Sequence, residues 1–403
     1  MSTPTPSDLR DGFAEMPAAP FDRNRPFNDL PPLPPAVDLE TPRILKQAIA
    51  AHRVLAELKG LAKLIPNQAM LVDGLVLQEA RLSSEIENVL TTNDALYRAA
   101  ADDRPATDPH TKEVLRYREA LWHGFRALGQ RPLATNLFIE IAGIIKDSDL
   151  GIRRVPGTKI ANSLGEVIYT PPEGEAVIRD KLANLERYLP AQDGTDPLIK
   201  LAVLHYQFEA IHPFIDGNGR AGRILNILYL VDQGLLELPV LYLSHYIIHH
   251  KSAYYAGLRQ VTEAGDWQSW VTYLLDAVET TARQTQERVL GILDLMTQAR
   301  ARVSEQAPKI YSKDLIEVIF MHPYCKIRFL EERGIAKRQT ASVYLQTLES
   351  LGLLRAQRMQ GGGDRRRGCR SHLRGGDGRG GWVGRRRGGG RKTFGDRPPF
   401  RAG

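Results

Sequence analysis

The chain has 403 residues, 42% of them apolar, and is long enough for two or three globular domains. It contains no apolar run of the roughly 18 residues that would indicate a membrane span. Its two cysteines, Cys325 and Cys369, argue against a disulfide framework and a cysteine-rich zinc site. The net charge of +7 is concentrated in residues 361–403, so it does not indicate a basic, nucleic-acid-binding body.

The N-terminal residues 1–40 are rich in Pro and Asp and are expected to be extended. Residues 30–35 form a polyproline-like run that would lie across a surface. The segment has no apolar core of a secretion signal, so we expect a cytoplasmic protein without membrane contact. At Thr41 and Pro42 a capping side chain precedes a first-turn proline, which predicts a helix start.

A second helical stretch, residues 66–90, carries two polar residues on one face. Ser83 and Glu87 are four positions apart and therefore lie on the same side of a helix. On these residues alone, an ordinary solvated face is the preferred interpretation. Residues 101–109 form a polar linker, so an N-terminal helical region is expected at 41–100.

Helical patterns at about 110–127 and 133–146 lead to a predicted hairpin at residues 157–172, where two β-prone runs flank a turn. Propensity alone favours a simple surface hairpin. A charged helix follows, and then a more apolar helix that begins near Asp196 and ends at His212.

Residues 212–223, here called the loop segment, combine residue types that suit phosphate binding. They read His-Pro-Phe-Ile-Asp-Gly-Asn-Gly-Arg-Ala-Gly-Arg and lead directly into an apolar helix. The N–H groups of such a loop and the following helix N-terminus converge on an anion. A Gly-Asn-Gly loop alone is usually a simple turn, but here Arg220 and Arg223 share one helical face and add two cations. The segment is neither a Walker loop nor a dinucleotide loop.

The loop segment resembles the signature of the Fic family, His-Pro-Phe-x-Asp/Glu-Gly-Asn-Gly-Arg-x-x-Arg, and matches it at every fixed position. Fic proteins mostly transfer AMP from ATP to a protein hydroxyl. The resemblance implies a mainly α fold, a Fic-type helical bundle with a β-hairpin flap. The hairpin at 157–172 would be this flap, which holds the target by strand addition.

The resemblance also implies a role for each residue of the loop segment. His212 would accept the proton of the target hydroxyl, and Asp216 would hold Mg²⁺. The residues expected to bind the phosphates of ATP are Gly217, Asn218, Gly219, Arg220, Ala221, Gly222 and Arg223. Two residues outside the segment, Tyr255 and Gln207, are further expected nucleotide contacts, although an aromatic pair such as Tyr254 and Tyr255 is otherwise typical of a core.

Residues 83–88, Ser-Ser-Glu-Ile-Glu-Asn, resemble the inhibitory motif Ser/Thr-x-x-x-Glu-Gly/Asn of many Fic proteins. In that motif the glutamate pairs with the last arginine of the signature and blocks the seat of the γ-phosphate. The resemblance therefore implies that Glu87, supported by Ser83, inhibits the enzyme through Arg223. Because the motif precedes the signature, the chain resembles the class II Fic proteins.

The C-terminal part reads as a winged helix-turn-helix-like module at 301–358, following a catalytic domain at 101–300 that ends in a long helix from 267 to 296. DNA binding and a role in packing or dimer contacts are both open for this module. Residues 359–403 are Gly/Arg-rich and are expected to be disordered, without the hairpin of a wing. Their abrupt change in composition also suggests translation out of frame.

The preferred interpretation is a protein adenylyltransferase that uses ATP and Mg²⁺ and releases pyrophosphate. Its acceptor would be a Ser, Thr or Tyr hydroxyl of an unidentified protein, including the chain itself. Two alternatives stay open: removal of AMP, or transfer of another phosphate-containing group, by the same loop. A nucleotide-sensing DNA-binding regulator is a third, and the intact His212 and Asp216 argue against it.

Overall fold

The computed structural model describes residues 21–63, 68–101, 106, 108–162, 164–321, 324–358 and 367–371. The chain divides into two compact units, one comprising residues 1–293 and 317–324 and the other comprising 294–316 and 325–403. Among the described residues, no helix combines the length and the apolar character needed to cross a membrane.

The first unit is built mainly from helices. Those that precede the hairpin are α1 (Pro42–Ala62), α2 (Gln68–Ile86), α3 (Asn93–Ala100), α4 (Pro109–Leu128) and α5 (Thr135–Lys146). Those that follow it are α6 (Glu175–Tyr188), α7 (Pro197–Ile211), α8 (Asn218–Asp232), α9 (Ser244–His249) and α10 (Lys251–Ala264). The first helix starts where the sequence predicts, because Thr41 accepts a hydrogen bond from the N–H of Ile44 at 3.4 Å.

Helices α7 and α8 lie at the centre of the hydrophobic core, since nearly every residue of both is buried. A helix that is apolar all round belongs in the interior, and the sequence of α7 has this character. Close packing is visible at Gly222, where a Cβ atom would come within 3.1 Å of the Phe208 ring. The loop segment therefore joins two helices that the core holds in place.

The predicted flap is present as a two-stranded antiparallel hairpin of β1 (Ile160–Ala161) and β2 (Val167–Tyr169). The hydroxyl of Tyr169 donates to the carbonyl oxygen of Ala210 at 2.8 Å, which ties the hairpin to the end of α7. The N–H of Phe27 donates to the carbonyl of Thr170 at 3.0 Å, so the N-terminal segment lies against the same hairpin.

The extended segment before α1 lies across the surface of α6 and α7, as its polyproline-like run predicts. Asn184 donates to the carbonyl of Leu33 at 3.0 Å and accepts from its N–H at 2.7 Å. Lys181 donates to the carbonyl of Leu30 at 2.9 Å. Polyproline segments leave their backbone groups free for such side-chain partners.

The structure differs from the sequence analysis at two helices. Helix α3 lies in a stretch where no separate helix is predicted; Thr92 caps it by accepting a 3.1 Å hydrogen bond from the N–H of Ala95. The long helix predicted to end near 296 continues to Gln306. Helices α9 and α10 are separated at His250, whose φ of −125° is not helical.

The C-terminal elements have the order of a winged helix. After α11 (Trp267–Gln306) and a 3-10 turn come α12 (Lys313–Met321), β3 (Tyr324–Lys326), α13 (Ile327–Glu332), α14 (Arg338–Ser350), β4 (Leu354–Arg358) and β5 (Arg367–Ser371). The strands form one sheet in the order β3-β5-β4.

The pairing of β4 with β5 corrects the expectation that no wing hairpin follows residue 354 and that 359–403 is disordered throughout. The two strands are antiparallel, with Leu354 opposite Ser371 and Arg358 opposite Arg367. A ladder uses the main-chain groups that every residue except proline offers, so a Gly/Arg-rich composition does not exclude it. The rest of the predicted tail lies outside the described residues.

Candidate active site

His212 ends α7 in a backbone conformation that is uncommon for a side-chain-bearing residue, with φ of 49° and ψ of 60°. The buried Arg153 holds this turn. Its Nε donates to the carbonyl oxygen of His212 at 2.7 Å, and its backbone N–H donates to the carbonyl oxygen of Pro213 at 2.9 Å. The left-handed turn is therefore stabilised by contacts from outside the loop segment.

The imidazole of His212 is suited to accept a proton at neutral pH. Burial lowers its pKa to about 4, and the positive charge of Arg153 acts in the same direction. Among the described residues, its Nδ1 atom is buried and makes no hydrogen bond of good geometry. The ring is consequently neutral over the physiological range and has capacity for a proton.

The loop itself is closed by the Asn218 side chain. Its Oδ1 accepts from the N–H of Phe214 and its Nδ2 donates to the carbonyl of the same residue, both at 2.8 Å. Gly217 takes a positive φ of 86°, which a glycine adopts without strain. Its N–H donates to Oδ1 of Asp216 at 2.5 Å. In this state the Asn218 side chain therefore shapes the loop, and its backbone N–H is the group directed to an anion by helix geometry.

Helix α8 begins at Asn218 and, within the part of the chain that the structure describes, has no side-chain cap. Its first N–H groups are therefore available to a phosphate. Ala221, at the end of this first turn, and Gly222, which follows it, are buried, and the N–H of Ala221 donates to the carbonyl oxygen of Gly217 at 2.9 Å. At Gly222 the absence of a side chain also serves packing against α7.

Arg223 is bound by the end of α2, as the inhibitory motif predicts. Its Nη2 lies 2.8 Å from Oε1 of Glu87 and 2.9 Å from the carbonyl oxygen of Ser83, and its Nε donates to Oγ of Ser83 at 2.7 Å. A Cβ atom at Gly219 would collide with the Glu87 carboxylate. Glu87 thus lies directly against the loop.

In the pair of Glu87 and Arg223, each group stabilises the charged form of the other. Burial would raise the pKa of Glu87, but the charge and hydrogen bond of Arg223 outweigh that effect and the pKa is lowered. Burial would likewise lower the pKa of Arg223, but the Glu87 carboxylate raises it above its usual value. Both groups are ionised at neutral pH, and the pair is a charge-assisted hydrogen bond.

The local sequence explains why Glu87 points into the site. Helix α2 ends at Ile86, and Asn88 adopts the left-handed conformation with φ of 62° that commonly terminates helices. Lys251 donates to the carbonyl oxygen of Ile86 at 2.6 Å, where a cation complements the helix C-terminus. Glu87 lies between Ile86 and Asn88, so the direction of its side chain is set by the end of the helix.

Asp216 and Arg220, in the middle of the loop segment, belong to a four-residue charge cluster. Oδ2 of Asp216 lies 2.6 Å from Nζ of Lys146, which is also 3.2 Å from Oε1 of Glu113. The buried Arg220 pairs with Glu113 and lies 3.5 Å from Oδ1 of Asp216. Burial would raise the pKa of Asp216, but Lys146 lowers it, so the carboxylate is ionised.

The two expected nucleotide contacts outside the loop segment have different surroundings. Tyr255 is 41% exposed. Burial raises its pKa to about 12, and the Glu87 carboxylate contributes, which places the phenol within the electrostatic field of Glu87. Gln207, in contrast, is buried and donates from Nε2 to the carbonyl oxygen of Pro31 at 3.0 Å. In this structure it fixes the N-terminal segment.

Four residues of the site escape sequence reasoning: Arg153, Glu113, Lys146 and Glu209. Glu209 faces Gly222, and its Oε1 is buried without a hydrogen-bond partner among the described residues. Burial raises its pKa to about 7, and the charge of Arg223 limits that rise. A glutamate three positions before the histidine is visible in the sequence, but its burial is not.

No group of three or more His, Cys, Asp or Glu side chains suited to a metal ion occurs among the described residues. Such a group is not needed for magnesium, which is commonly bound by one or two carboxylates together with substrate phosphates and water. The Lys146 ammonium next to Asp216 shows that this carboxylate attracts a cation at the loop.

Three family models match the chain. They are the N-terminal region of the Fic/DOC family over residues 45–126, the Fic/DOC family over 132–230, and the C-terminal domain of SoFic-like protein adenylyltransferases over 295–362. The second match contains the loop segment, and the first contains Ser83 and Glu87.

Curated relatives match a limited part of the chain. Protein adenylyltransferase fic-1 of Caenorhabditis briggsae is 31% identical over 120 residues, which is 29% of this chain and 22% of the relative. A probable protein adenylyltransferase of Aquifex aeolicus is 33% identical over 95 residues, which is 24% of this chain and 27% of the relative. The chain therefore matches about a quarter of the length of these relatives.

Solved structures show the fold. A Fic family protein from Desulfovibrio desulfuricans G20 aligns with a TM-score of 0.51 at 18% identity, covering 84% of this chain and 98% of that protein. A Fic domain containing signaling protein from Bacteroides thetaiotaomicron aligns with a TM-score of 0.50 at 20% identity, covering 60% of this chain and 97% of that protein.

Proposed function

We propose that this chain, which is a Fic-family protein, transfers AMP from ATP to a protein hydroxyl and is restrained by its own Glu87. The observation that carries the proposal is the junction of α7 and α8. There a neutral histidine, His212, lies beside an uncapped helix N-terminus and two arginines. Proton acceptance and phosphate binding are the two requirements of nucleotidyl transfer to a hydroxyl.

In the proposed reaction, the hydroxyl oxygen forms a bond to the α-phosphorus as the bond from that phosphorus to the bridging oxygen of the β-phosphate breaks. Pyrophosphate leaves with the electron pair. His212 accepts the hydroxyl proton, for which its lowered pKa of about 4 makes it available but a weak base. Arg153 contributes by holding the His212 backbone in place.

The phosphate chain would be bound by the first N–H groups of α8 and by the two arginines. Arg220 is buried with Glu113 and directed along the loop. Arg223 would bind the γ-phosphate once it is released from Glu87. The residue that fits a magnesium ion is Asp216, with its exposed carboxylate, and the ion would neutralise phosphate charge.

Glu87 would keep the enzyme inactive because it takes the same guanidinium that the γ-phosphate needs. The pair is partly enclosed, with the Arg223 side chain 1% exposed and that of Glu87 35% exposed. In such a setting a charge-assisted contact is stronger than on an open surface. ATP would therefore bind weakly, or in a pose unsuited to attack, until α2 releases Arg223.

The target would be held at the hairpin of β1 and β2 by strand addition. Auto-modification, a homodimer and DNA binding by the C-terminal module remain predictions. For the last of these, the exposed Lys337 and Arg338 at the start of α14 are the residues to test.

The experiment uses two ATP preparations, one labelled at the α-phosphate and one at the γ-phosphate, with the purified chain and a cell lysate. With the purified chain, AMP transfer predicts protein-bound label from the first preparation only, and label from the γ-phosphate would indicate phosphoryl transfer and overturn the proposal. In the lysate, whose own kinases use the γ-phosphate, the expected result is α-phosphate label that appears with the wild type and not with His212→Ala. Loss of AMP from a previously modified protein would support the removal reaction instead.

A further inference from the structure

The charge cluster around Asp216 is already balanced. It contains two carboxylates, Glu113 and Asp216, and two cations, Lys146 and Arg220. Lys146 lies 2.6 Å from Asp216 and 3.2 Å from Glu113, and Arg220 lies 3.5 Å from Asp216. Arg220 also pairs closely with Glu113. A divalent cation arriving alone would therefore find no net negative charge at the residue expected to bind it.

The side chain of Lys146 passes Gly217 and ends with its Nζ next to Asp216. It is the last residue of α5, and Asp147 after it adopts a left-handed conformation that ends the helix. A Cβ atom built on Gly217 would lie 3.4 and 3.6 Å from Cγ and Cδ of Lys146. The lysine stem thus crosses the face of Gly217 at ordinary van der Waals distance, and glycine itself is required there by the positive φ of 86°.

The ion pair is accessible enough to exchange. The side chains of Lys146 and Asp216 are 24% and 57% exposed. Such a partly exposed pair opens at small cost, because water solvates both ions when they separate. A flexible four-carbon stem also lets the ammonium move while the helix stays in place.

We propose that Lys146 is a tethered cation that competes with the divalent metal for Asp216, so that the metal enters with a polyphosphate and not alone. The inference deepens the proposed function and rests on its assignment of Asp216 to the metal. A magnesium ion requires oxygen ligands at about 2.0–2.1 Å in octahedral geometry. Nζ of Lys146, 2.6 Å from Oδ2, occupies the space and the charge that such an ion needs.

A polyphosphate changes this balance. It brings several negative charges to the loop, and a lysine ammonium binds phosphate oxygens readily as a point charge. Lys146 then exchanges Asp216 for a phosphate oxygen, and the freed carboxylate accepts the metal. Lys146 is therefore a positioning residue for the metal ligand and a phosphate contact when nucleotide is bound.

The test measures Mn²⁺ binding to the nucleotide-free chain from the loss of the free-ion signal in electron paramagnetic resonance. Lys146→Met removes the competing charge and keeps most of the stem. We expect it to bind Mn²⁺ about tenfold more tightly than the wild type, a difference of about 1.4 kcal/mol. Lys146→Gln should show the same gain. Agreement between the two variants would show that the gain comes from the lost charge and not from altered packing in one of them.

The matched control is Lys112→Met, which removes the same charge from an exposed position of α4 next to Glu113. It should bind Mn²⁺ as the wild type does. Asp216→Asn in the Lys146→Met background should abolish the gain. An equal affinity in wild type and Lys146→Met, or the same gain in Lys112→Met, would overturn the inference.

A second measurement adds a non-hydrolysable ATP analogue. The advantage of Lys146→Met over the wild type should then fall to about twofold or less, because the nucleotide removes Lys146 from Asp216 in the wild type. An advantage that persists unchanged would contradict the exchange. Neither measurement requires AMP transfer, so a failure of the labelling experiment is distinguishable from a failure of this inference.

Discussion

Two charged residues of the loop segment bind their partners in different ways; the two ion pairs are called here the buried end, at Arg223, and the exposed end, at Asp216. At one end the Arg223 side chain is 1% exposed and makes three hydrogen bonds to Ser83 and Glu87. At the other end Asp216 is 57% exposed, and its partner Lys146 lies on the rim of the loop. In the first ion pair the guanidinium is buried in the core, whereas in the second both side chains are in contact with solvent.

This difference indicates where control lies. The exposed pair at Asp216 can exchange partners by a movement of one side chain, at small cost. The pair at Arg223 opens only if the end of α2 moves or loses its carboxylate, because a buried guanidinium left without partners is strongly unfavourable. The metal end is suited to rapid exchange, and the arginine end to a slow regulatory step.

The largest expected effect is that of His212→Ala, which changes a residue that belongs to neither ion pair. Removing the base should lower AMP transfer by about 10²–10⁴-fold, the usual contribution of general base catalysis. Nucleotide affinity should change little, because His212 serves the acceptor and neither end of the loop depends on its ring. Quench-flow measurement of label transfer, together with calorimetric ATP titration, separates the two. Undiminished transfer would remove His212 from the mechanism.

The next effect in size is that of Glu87→Gly, which opens the buried end alone. It should raise auto-modification by about tenfold or more, since it frees Arg223, and it should lower the stability because the buried guanidinium loses its charged partner. Labelling from α-labelled ATP measures the rise, and the melting temperature should fall in parallel.

Two further variants test whether the activation comes from opening the pair between Glu87 and Arg223. Adding Arg223→Ala to Glu87→Gly should cancel the activation. Glu85→Gly changes the same helix end but removes a carboxylate paired with Arg81, 2.7 Å away, and should not activate. A Glu87→Gly protein no more active than the wild type would contradict the inhibitory role and favour a role in aligning water for AMP removal.

The buried end was predictable from the sequence, and most of the exposed end was not. Ser83, Glu87 and Arg223 were identified because they belong to two short motifs, although 136 positions separate the ion pair. Lys146 and Glu113 carry no local pattern. A lysine at the end of a helix is normally a solvated charge that complements the helix dipole, so only the fold reveals its contact with Asp216.

Similar reasons explain the other differences. Gln207, five positions before His212, stays a predicted nucleotide contact; in the structure it pairs with Pro31, which no local spacing indicates. The hairpin strand β5 lies in a Gly/Arg-rich stretch, where composition conceals a main-chain ladder. Core helices such as α7 were predictable because their apolar runs are continuous.

The pH profile should distinguish the groups near the two ends. Because the pKa of His212 is lowered to about 4, its neutral form is lost only as the pH falls through that value, so transfer should show no acid limb near pH 6.5. Glu209, with a pKa of about 7, is neutral below that pH and ionised above it. The ionised Glu209 carboxylate beside Arg223 should lower the rate of transfer. The rate should therefore fall to half its maximum near pH 7, where half of the Glu209 side chains are ionised.

Glu209→Gln is the control for this profile, and it should remove the decline above pH 7 without changing the behaviour at low pH. The Glu87 carboxylate helps to raise the pKa of Glu209. In Glu87→Gly the decline should therefore move to lower pH. An acid limb near pH 6.5 in all variants would contradict the buried, neutral state of His212.

The smallest effect, and the finest test of the buried end, is that of Ser83→Ala. The hydroxyl accepts from Nε of Arg223, whereas the Ser83 carbonyl and Glu87 hold Nη2. The variant removes one of three hydrogen bonds and should activate about two- to fivefold, less than Glu87→Gly and in the same direction. Ser84→Ala is the matched control, because Ser84 is equally buried and its hydroxyl has no partner among the described residues. Equal activation by both serine variants would mean that the helix end, and not the bond to Arg223, sets the restraint.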